Sequence, residues 1–217
     1  FPAGLKLGAV VERAECEDMV VTMHGLPLRE MKPGSVIGTG SLRRKLQLKR
    51  LNPKIRIKDI RGNVQTRLQK LEKGDYDGII LARAGIARLY RDLQERQKDF
   101  YDRFHYEILE IDDCLPAAGQ GILAVEVSEA ALECPWFAEL CEKLNDADAG
   151  KMLLAERSFL RHIGGGCNAP VGAWSRVEGT EFRIRGSFAA DGKSMKYAEV
   201  SGGSSDGEAL RKALAEI

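Results

Sequence analysis

Several features that mark common functional sites are missing from this sequence of 217 residues. There is no CxxC pair and no cysteine–histidine spacing typical of zinc, so we expect no metal site. The chain contains neither a GxxxxGK(S/T) loop nor a complete GxGxxG motif, which argues against a nucleotide-binding protein. No apolar run approaches the length of a membrane span, so we expect no membrane partner.

Cysteines and aromatic residues are also few. The five cysteines are scattered and odd in number, which predicts reduced thiols in a cytoplasmic protein. The net charge is only +1, yet residues 41–103 hold 18 Lys and Arg against 8 Asp and Glu. This local excess predicts an anionic ligand. The same stretch lacks the interleaved aromatic residues of a stacking surface, so nucleic acid is not the expected partner.

Strand-like and helix-like segments alternate from Pro33 to about residue 100. Strands are predicted over 35–40, 54–60 and 75–82, and helices over 41–51, 64–74 and 84–100. Ser41 is the expected N-cap of the first helix, and Gly74 is expected to end the second. Repeated units of this length predict an α/β fold with a parallel sheet.

The flanking segments differ from this repeat. Strands are predicted over 5–11 and 122–127, and helices over 131–145 and 148–163. In the tail, two strands at 181–188 and 194–202 flank the hairpin signal Asp191-Gly192, and a helix is predicted over 206–217. The chain from about Asp148 onward is therefore predicted to form a small α+β domain.

Basic residues follow the predicted strands at the places where an α/β sheet binds its ligands. GTGSLRR brings Thr39, Ser41, Arg43 and Arg44 to a helix N-terminus, whose free N–H groups favour an anion. Later turns carry further arginines, namely Arg61, Arg67, Arg83 and Arg88. Guanidinium groups bind carboxylates through paired hydrogen bonds, so this set predicts a ligand with several carboxylates. Other arginines are interpreted as solvated helix faces, namely Arg50, Arg91, Arg96 and Arg103.

Two glycine-rich loops stand out. In LPAAGQG, Gln120 lies between two glycines before a strand, which suits either a hinge with its amide near the ligand or an ordinary turn. In GGGCNAP, Cys167 follows three glycines and precedes Asn-Ala-Pro. Such a loop could present a reactive thiol, but free cysteines are also among the most buried residues. Spacing alone leaves both pairs of alternatives open.

Five motifs in this order, GTGSLRR, IRGNVQTRLQKL, YDGIILARAGIARL, LPAAGQG and GGGCNAPVG, resemble the porphobilinogen deaminase family. The resemblance implies two lobes like those of type II periplasmic binding proteins and a small α+β C-terminal domain. It divides the chain into a remainder of domain 1 (1–14 and 118–144), domain 2 (15–117) and domain 3 (148–217).

The resemblance also implies a cofactor, a dipyrromethane joined to Cys167 through a thioether. It places further cofactor contacts at Thr39, Ser41, Arg43, Arg44, Ala82 and Gln120. It places substrate contacts at Arg61, Arg67 and Arg88. The implied enzyme deaminates four porphobilinogen molecules and joins them head-to-tail into hydroxymethylbilane, a step of haem and tetrapyrrole biosynthesis.

No catalytic residue is assigned within this chain. In the family that these motifs resemble, the catalytic aspartate belongs to a motif just upstream of the FPxG segment. Here that segment begins at Phe1, so the aspartate is expected upstream of Phe1. The resemblance thus implies that the N-terminal part of the first domain is missing from this chain.

Three other hypotheses stay open beside the active enzyme. The chain could be a non-catalytic polycarboxylate-binding module in which Cys167 is bare, or an inactive fragment of the deaminase. It could also be an RNA- or phosphate-binding protein that uses its basic half. With the deaminase hypothesis we expect a monomer whose partner is the small molecule porphobilinogen, without nucleic acid or membrane.

Overall fold

The computed structural model describes residues 2–91, 95–164 and 169–203, which form three sheets. Their strands are β1 (Leu5–Val10), β2 (Asp18–Thr22), β3 (Val36–Gly38), β4 (Arg56–Lys58), β5 (Gly78–Ala82), β6 (His105–Leu109), β7 (Ala124–Ser128), β8 (Val171–Glu178), β9 (Glu181–Phe188) and β10 (Lys196–Gly203). Their α-helices are α1 (Leu42–Leu51), α2 (Val64–Glu72), α3 (Arg83–Arg91), α4 (Glu95–Tyr101), α5 (Pro135–Leu144) and α6 (Ala147–His162). None of the helices in these ranges is long and apolar enough to cross a bilayer.

The central sheet has the strand order β4-β3-β5-β2-β6. Strand β3 pairs in parallel with β4 and β5, as predicted, but β2 is antiparallel to both β5 and β6. The expectation of a parallel sheet was therefore wrong for this part. The alternation of strands and helices in the sequence reveals only strands that are directly followed by a helix and a further strand. Strands β2 and β6 do not belong to such a repeat. The α/β class is confirmed, with a mixed sheet.

Helices cover both faces of the central sheet. Alternate residues of a strand point to opposite faces, so Ile80 packs with Leu48 of α1 while Ile79 packs with Leu68 of α2. All four side chains are fully buried. This two-sided burial holds the strand ends in fixed positions, and the ligand loops extend from those ends.

The ends of the central helices agree with the sequence. Ser41 is the N-cap of α1, and Asn63 caps α2 in the same way, each accepting a backbone N–H with its side chain. Gly74 follows α2 with a φ of +79°. The described part of the helix predicted over 84–100 is helical, as α3 and α4, and residues 92–94 lie outside the described residues. The helix predicted over 206–217 lies outside the described residues.

The third sheet, β10-β9-β8, is an antiparallel meander that packs against α6 through Phe159 and Ile184. The hairpin signal Asp191-Gly192 lies between β9 and β10, as predicted. The sheet also contacts the central unit, because Ala173 donates its N–H to the carbonyl oxygen of Pro116 at 2.9 Å.

Helix α1 forms a second contact with the third sheet. The Gln47 side chain exchanges hydrogen bonds of 3.0 and 2.8 Å with the backbone of Leu115, and Tyr197 donates its hydroxyl to the Gln47 amide oxygen. The Arg50 guanidinium lies 5.0 Å from the centre of the Tyr197 ring. Arg50 is exposed, as the sequence predicts, and its guanidinium also takes part in this contact.

Two crossing segments join the small β1-β7 sheet to the central sheet. They run side by side, since Val11 donates to the carbonyl of Leu123 at 2.9 Å and Ala14 donates to that of Gly121 at 3.0 Å. The two segments that connect the sheets are therefore adjacent and hydrogen-bonded to each other. We call residues 11–14 and 119–123 the paired crossing segments.

Candidate carboxylate-binding site

Three loops meet at the carboxyl ends of the parallel strands. Because β3 pairs with both β4 and β5, the loops that follow these strands are neighbours. Thr39 connects two of them, donating its N–H to the carbonyl of Lys58 at 3.1 Å. Its buried hydroxyl oxygen accepts the N–H of Ser41 at 3.2 Å and so shapes the turn into α1. The N-termini of α1 and α2 therefore open at the same edge of the sheet.

Asp18, at the start of β2, is the buried carboxylate of this edge. It is fully buried, and its two oxygens accept Arg43 Nη1 at 2.8 Å and Arg44 Nη2 at 2.7 Å. Arg44 Nε adds a bond of 3.1 Å, and Gln120 Nε2 donates at 2.9 Å. Burial alone would raise the pKa of the carboxyl, but Arg43 and Arg44 outweigh burial and hold its pKa well below the usual range.

Arg43 is also buried, with an exposure of 3%. Besides Asp18 it donates to the carbonyl of Leu115 at 2.6 Å and to the Gln120 amide oxygen at 3.5 Å. The Cys114 thiol lies 3.4 Å from an Asp18 oxygen. Burial, together with the Asp18 charge, raises the pKa of Cys114 to about 12, so this thiol stays protonated at neutral pH. The Arg43 guanidinium therefore binds buried protein groups and is little exposed to a ligand.

Arg61, Arg67 and Arg88 carry positive charges that no carboxylate of the described residues pairs with. Burial and the nearby Arg44 guanidinium lower the pKa of Arg67, whose Nε donates to the carbonyl of Gly62 at 2.7 Å. Arg61 and Arg88 are exposed, and neither guanidinium donates a hydrogen bond to a described residue. Such a donor set suits a ligand with several carboxylates.

The structure brings most of the sequence-predicted residues to this edge. Ala82 ends β5 directly opposite Asp18 in the sheet register. Gln120 reaches the site, but its amide NH₂ group is directed at Asp18 and at the carbonyl of Cys16. Arg83 pairs with Glu17 at 3.2 Å, so its charge is already matched.

Two positions named in the sequence analysis lie outside the described residues, namely Cys167 and Phe1. The attachment of dipyrromethane to Cys167 therefore stays a prediction. The expectation that the catalytic aspartate lies upstream of Phe1 also stays a prediction, and no carboxylate of the described residues is assigned that role.

Asp18 was missed by the sequence analysis. It opens the short apolar run DMVVT, which contains no motif, and its arginine partners lie 25 and 26 residues away. The one available signal was a carboxylate beside a strand of apolar residues, which is rare unless a cation pairs with it.

The donors of the site fit a polycarboxylate better than a metal ion. No group of three His, Cys, Asp or Glu side chains in the described parts of the chain could hold a metal. Asp18, the buried acid of the site, is already satisfied by two guanidinium groups and an amide. Carboxylates of a ligand would instead meet Arg44, Arg61 and Arg67 and the N–H groups at the start of α1 and α2.

Comparison with known proteins identifies the family. Residues 1–134 match the family model "Porphobilinogen deaminase, dipyromethane cofactor binding domain", and residues 151–217 match "Porphobilinogen deaminase, C-terminal domain". The chain belongs to the porphobilinogen deaminase family. The porphobilinogen deaminase of Thermus thermophilus is 42% identical over 217 residues, which are 99% of this chain and 67% of that protein. The Bacillus subtilis porphobilinogen deaminase is 40% identical over 219 residues, covering 100% of this chain and 65% of that protein.

The chain therefore spans about two thirds of the length of the porphobilinogen deaminases that it matches. Among solved structures, the VFT2 domain of Bordetella pertussis BvgS covers 70% of this chain and 61% of its own at 12% identity, with a TM-score of 0.39. The P235GK mutant of ArgBP from T. maritima covers 62% of this chain and 54% of its own at 10% identity, with a TM-score of 0.36. Overlaps of this size carry no argument about ligands.

Proposed function

We propose that this chain binds the dipyrromethane cofactor and the growing pyrrole chain in a hydroxymethylbilane synthase. The observation that carries the proposal is the cluster of Arg43, Arg44 and Arg67 at the edge where Asp18 is the buried carboxylate, in a chain that matches the deaminase family at both ends. The substrate is the small molecule porphobilinogen, which carries two carboxylates on each pyrrole. A lengthening product therefore accumulates negative charge, which the site arginines can bind. We also propose that the protein works as a cytoplasmic monomer.

The residues of the site divide the work of binding and orientation. The start of α1 supplies N–H donors and Ser41 its hydroxyl, while Arg44, Arg61, Arg67 and Arg88 supply guanidinium groups. Asp18 holds Arg43 and Arg44 in one geometry, so little side-chain entropy is lost when a carboxylate binds. When bound, dipyrromethane supplies the pyrrole carbon to which the first substrate is joined. Correct placement of two reacting carbons can account for a large part of a rate enhancement.

Asp18 is not proposed as the proton-transfer group. Its pKa lies well below the usual range, and its oxygens accept hydrogen bonds from Arg43, Arg44 and Gln120. A general acid or base near neutral pH needs a pKa near the working pH. The carboxylate therefore stays ionised and organises the arginines.

The first test is covalent loading of Cys167. The holoenzyme is expected to show an intact mass above that of the polypeptide by one dipyrrole. The Cys167→Ser variant should lack this addition because an alcohol does not form the thioether. Cys134→Ser is the matched control and should keep it. An unmodified wild-type mass would favour the non-catalytic binding module.

The second test removes one guanidinium from the site. Arg67→Ala is expected to slow pyrrole addition roughly 10- to 100-fold, because a carboxylate of the growing chain loses its partner and the reacting carbons lose alignment. The measurement is the rate of product formation from porphobilinogen by the full-length enzyme, since the catalytic aspartate is expected upstream of Phe1. Arg103→Ala is the control, since Arg103 pairs at the surface with Glu72. Unchanged turnover of Arg67→Ala would contradict the assigned role.

The domain division is proposed on the same basis. We propose that residues 1–14 and 118–144 belong to one domain, 15–117 to a second and 148–217 to a third. The separate sheet β1-β7, the central sheet and the sheet β8–β10 support this division.

A further inference from the structure

Glu156 is a fully buried carboxylate outside the site described above. It lies on α6 and accepts five hydrogen bonds from three separate parts of the chain. Arg13 donates two, at 2.6 and 3.3 Å, and the N–H of Gly119 donates one at 2.6 Å. Ser175 donates its backbone N–H at 2.7 Å and its hydroxyl at 2.8 Å. Both carboxylate oxygens therefore have hydrogen-bond partners, as a buried charge requires.

These donors connect two regions that are distant in sequence. Arg13 and Gly119 belong to the two paired crossing segments. Glu156 and Ser175 belong to α6 and β8, which precede and follow Cys167 in the chain. The carboxylate therefore joins the two elements that flank Cys167 to both paired crossing segments.

The same network continues to the arginines. Arg13 Nε donates to the carbonyl of Gln120 at 3.1 Å, and Gln120 follows Gly119 directly. The Gln120 amide then donates to Asp18, which binds Arg43 and Arg44. A continuous path of buried or half-buried hydrogen bonds thus runs from α6 and β8 to the guanidinium groups of Arg43 and Arg44.

Stability alone does not account for an ionic group at this position. Taking a carboxylate and a guanidinium out of water is costly, and well-packed apolar residues often stabilise a protein as well or better. Directional hydrogen bonds instead fix the relative placement of the segments that they join. Placement matters for a tethered reaction, in which a shift of about 1 Å can cost roughly 100-fold in rate.

We propose that Glu156 is a positioning residue that fixes α6 and β8, the elements on either side of Cys167 in the chain, relative to Arg43 and Arg44 during pyrrole addition. This inference rests on the proposed function. Glu156 touches neither substrate nor cofactor in this role, and it acts through Gly119, Gln120 and Asp18. Its loss should therefore impair the chemical steps more than substrate binding.

The test is Glu156→Gln, which keeps the size of the side chain but places an NH₂ group among donors. In the holoenzyme, kcat is expected to fall about 10- to 100-fold while KM changes less than about threefold. When Glu156→Gln is combined with Cys167→Ser, which is expected to lack the cofactor, amide hydrogen exchange should quicken in the peptides spanning residues 115–123 and 171–178. In Glu156→Gln with Cys167 intact, cofactor loading measured by intact mass should persist.

Ile184→Val is the control, because it trims the apolar core of the same domain without touching the network. It should lower thermal stability while leaving kcat and the exchange of residues 115–123 unchanged. Equal losses of kcat in both variants at similar stability would overturn the positioning role, as would normal kcat in Glu156→Gln.

A milder variant keeps the test decisive if Glu156→Gln does not fold. Ser175→Ala removes one hydroxyl donor and should lower kcat by a smaller factor with the same pattern of exchange. Normal kcat in Ser175→Ala, in that case, would count against the inference. A wild-type holoenzyme that does not convert porphobilinogen would instead overturn the proposed function, and the exchange measurement would still report on the network.

Discussion

Asp18→Asn is expected to lower the free energy of unfolding by about 3–5 kcal/mol, the usual cost of breaking a buried ion pair by removing one partner. The substitution keeps the shape of the side chain but leaves the Arg43 and Arg44 guanidinium groups without their carboxylate. Urea unfolding at pH 7 measures the loss. Asp113→Asn is the control, since its ion pair with Arg29 is solvent-exposed and should contribute less than about 1 kcal/mol.

The loss of stability caused by Asp18→Asn is expected to depend on pH. Arg43 and Arg44 depress the pKa of Asp18 in the folded protein, so folding favours the ionised carboxylate. Its contribution is complete above the unfolded pKa of about 4 and is lost as the pH falls below that value toward the folded pKa. The stability difference between wild type and Asp18→Asn should therefore narrow as the pH falls from about 5 to about 3. A difference that stays constant over this range would contradict the pairing.

Gly121→Ala is expected to destabilise the protein by roughly 3 kcal/mol or more, through two separate effects. Gly121 has a φ of +86°, and an added Cβ would lie 2.6 Å from the carbonyl oxygen of Ala14 on the other crossing segment. Backbone atoms cannot move aside as a flexible side chain can. The paired crossing segments would therefore separate, and thermal unfolding should show a large fall in Tm.

Gly74→Ala separates the two effects. Gly74 has a similar φ of +79°, but no atom lies within 4 Å of an added Cβ. Only the cost of the left-handed backbone remains, which is about 1–2 kcal/mol. Similar losses for the two variants would show that the crossing segments are not tightly apposed at Gly121.

Helix ends and turns were predictable because their determinants are neighbours in sequence. Ser41 caps α1 with its own side chain, Gly74 ends α2, and Asp191-Gly192 lies in the loop between β9 and β10. The position of β2 was not predictable in this way. Its pairing between β5 and β6 depends on partners far along the chain, and no local pattern gives the direction of such a strand.

The arginines of the site were found because glycine turns and helix starts mark ligand loops in α/β sheets. Their pairing was not found. The sequence analysis treated Arg43 and Arg44 alike, whereas the structure buries Arg43 and leaves Arg44 partly accessible beside Arg67. Arg50 is exposed, as predicted, but its contact with the Tyr197 ring was not predicted. Both differences arise from contacts between segments that are distant in sequence.

Motif order and spacing along the chain predicted the family, which the comparisons confirm, together with an anionic ligand and the chemistry of Cys167, which stay predictions. They could not establish which charges neutralise one another. Asp18 and Glu156 acquire their roles only when folding removes water around them and brings distant donors within about 3 Å. Coulombic and hydrogen-bond energies depend on separation in space and on local dielectric, and neither quantity is encoded by position in the chain.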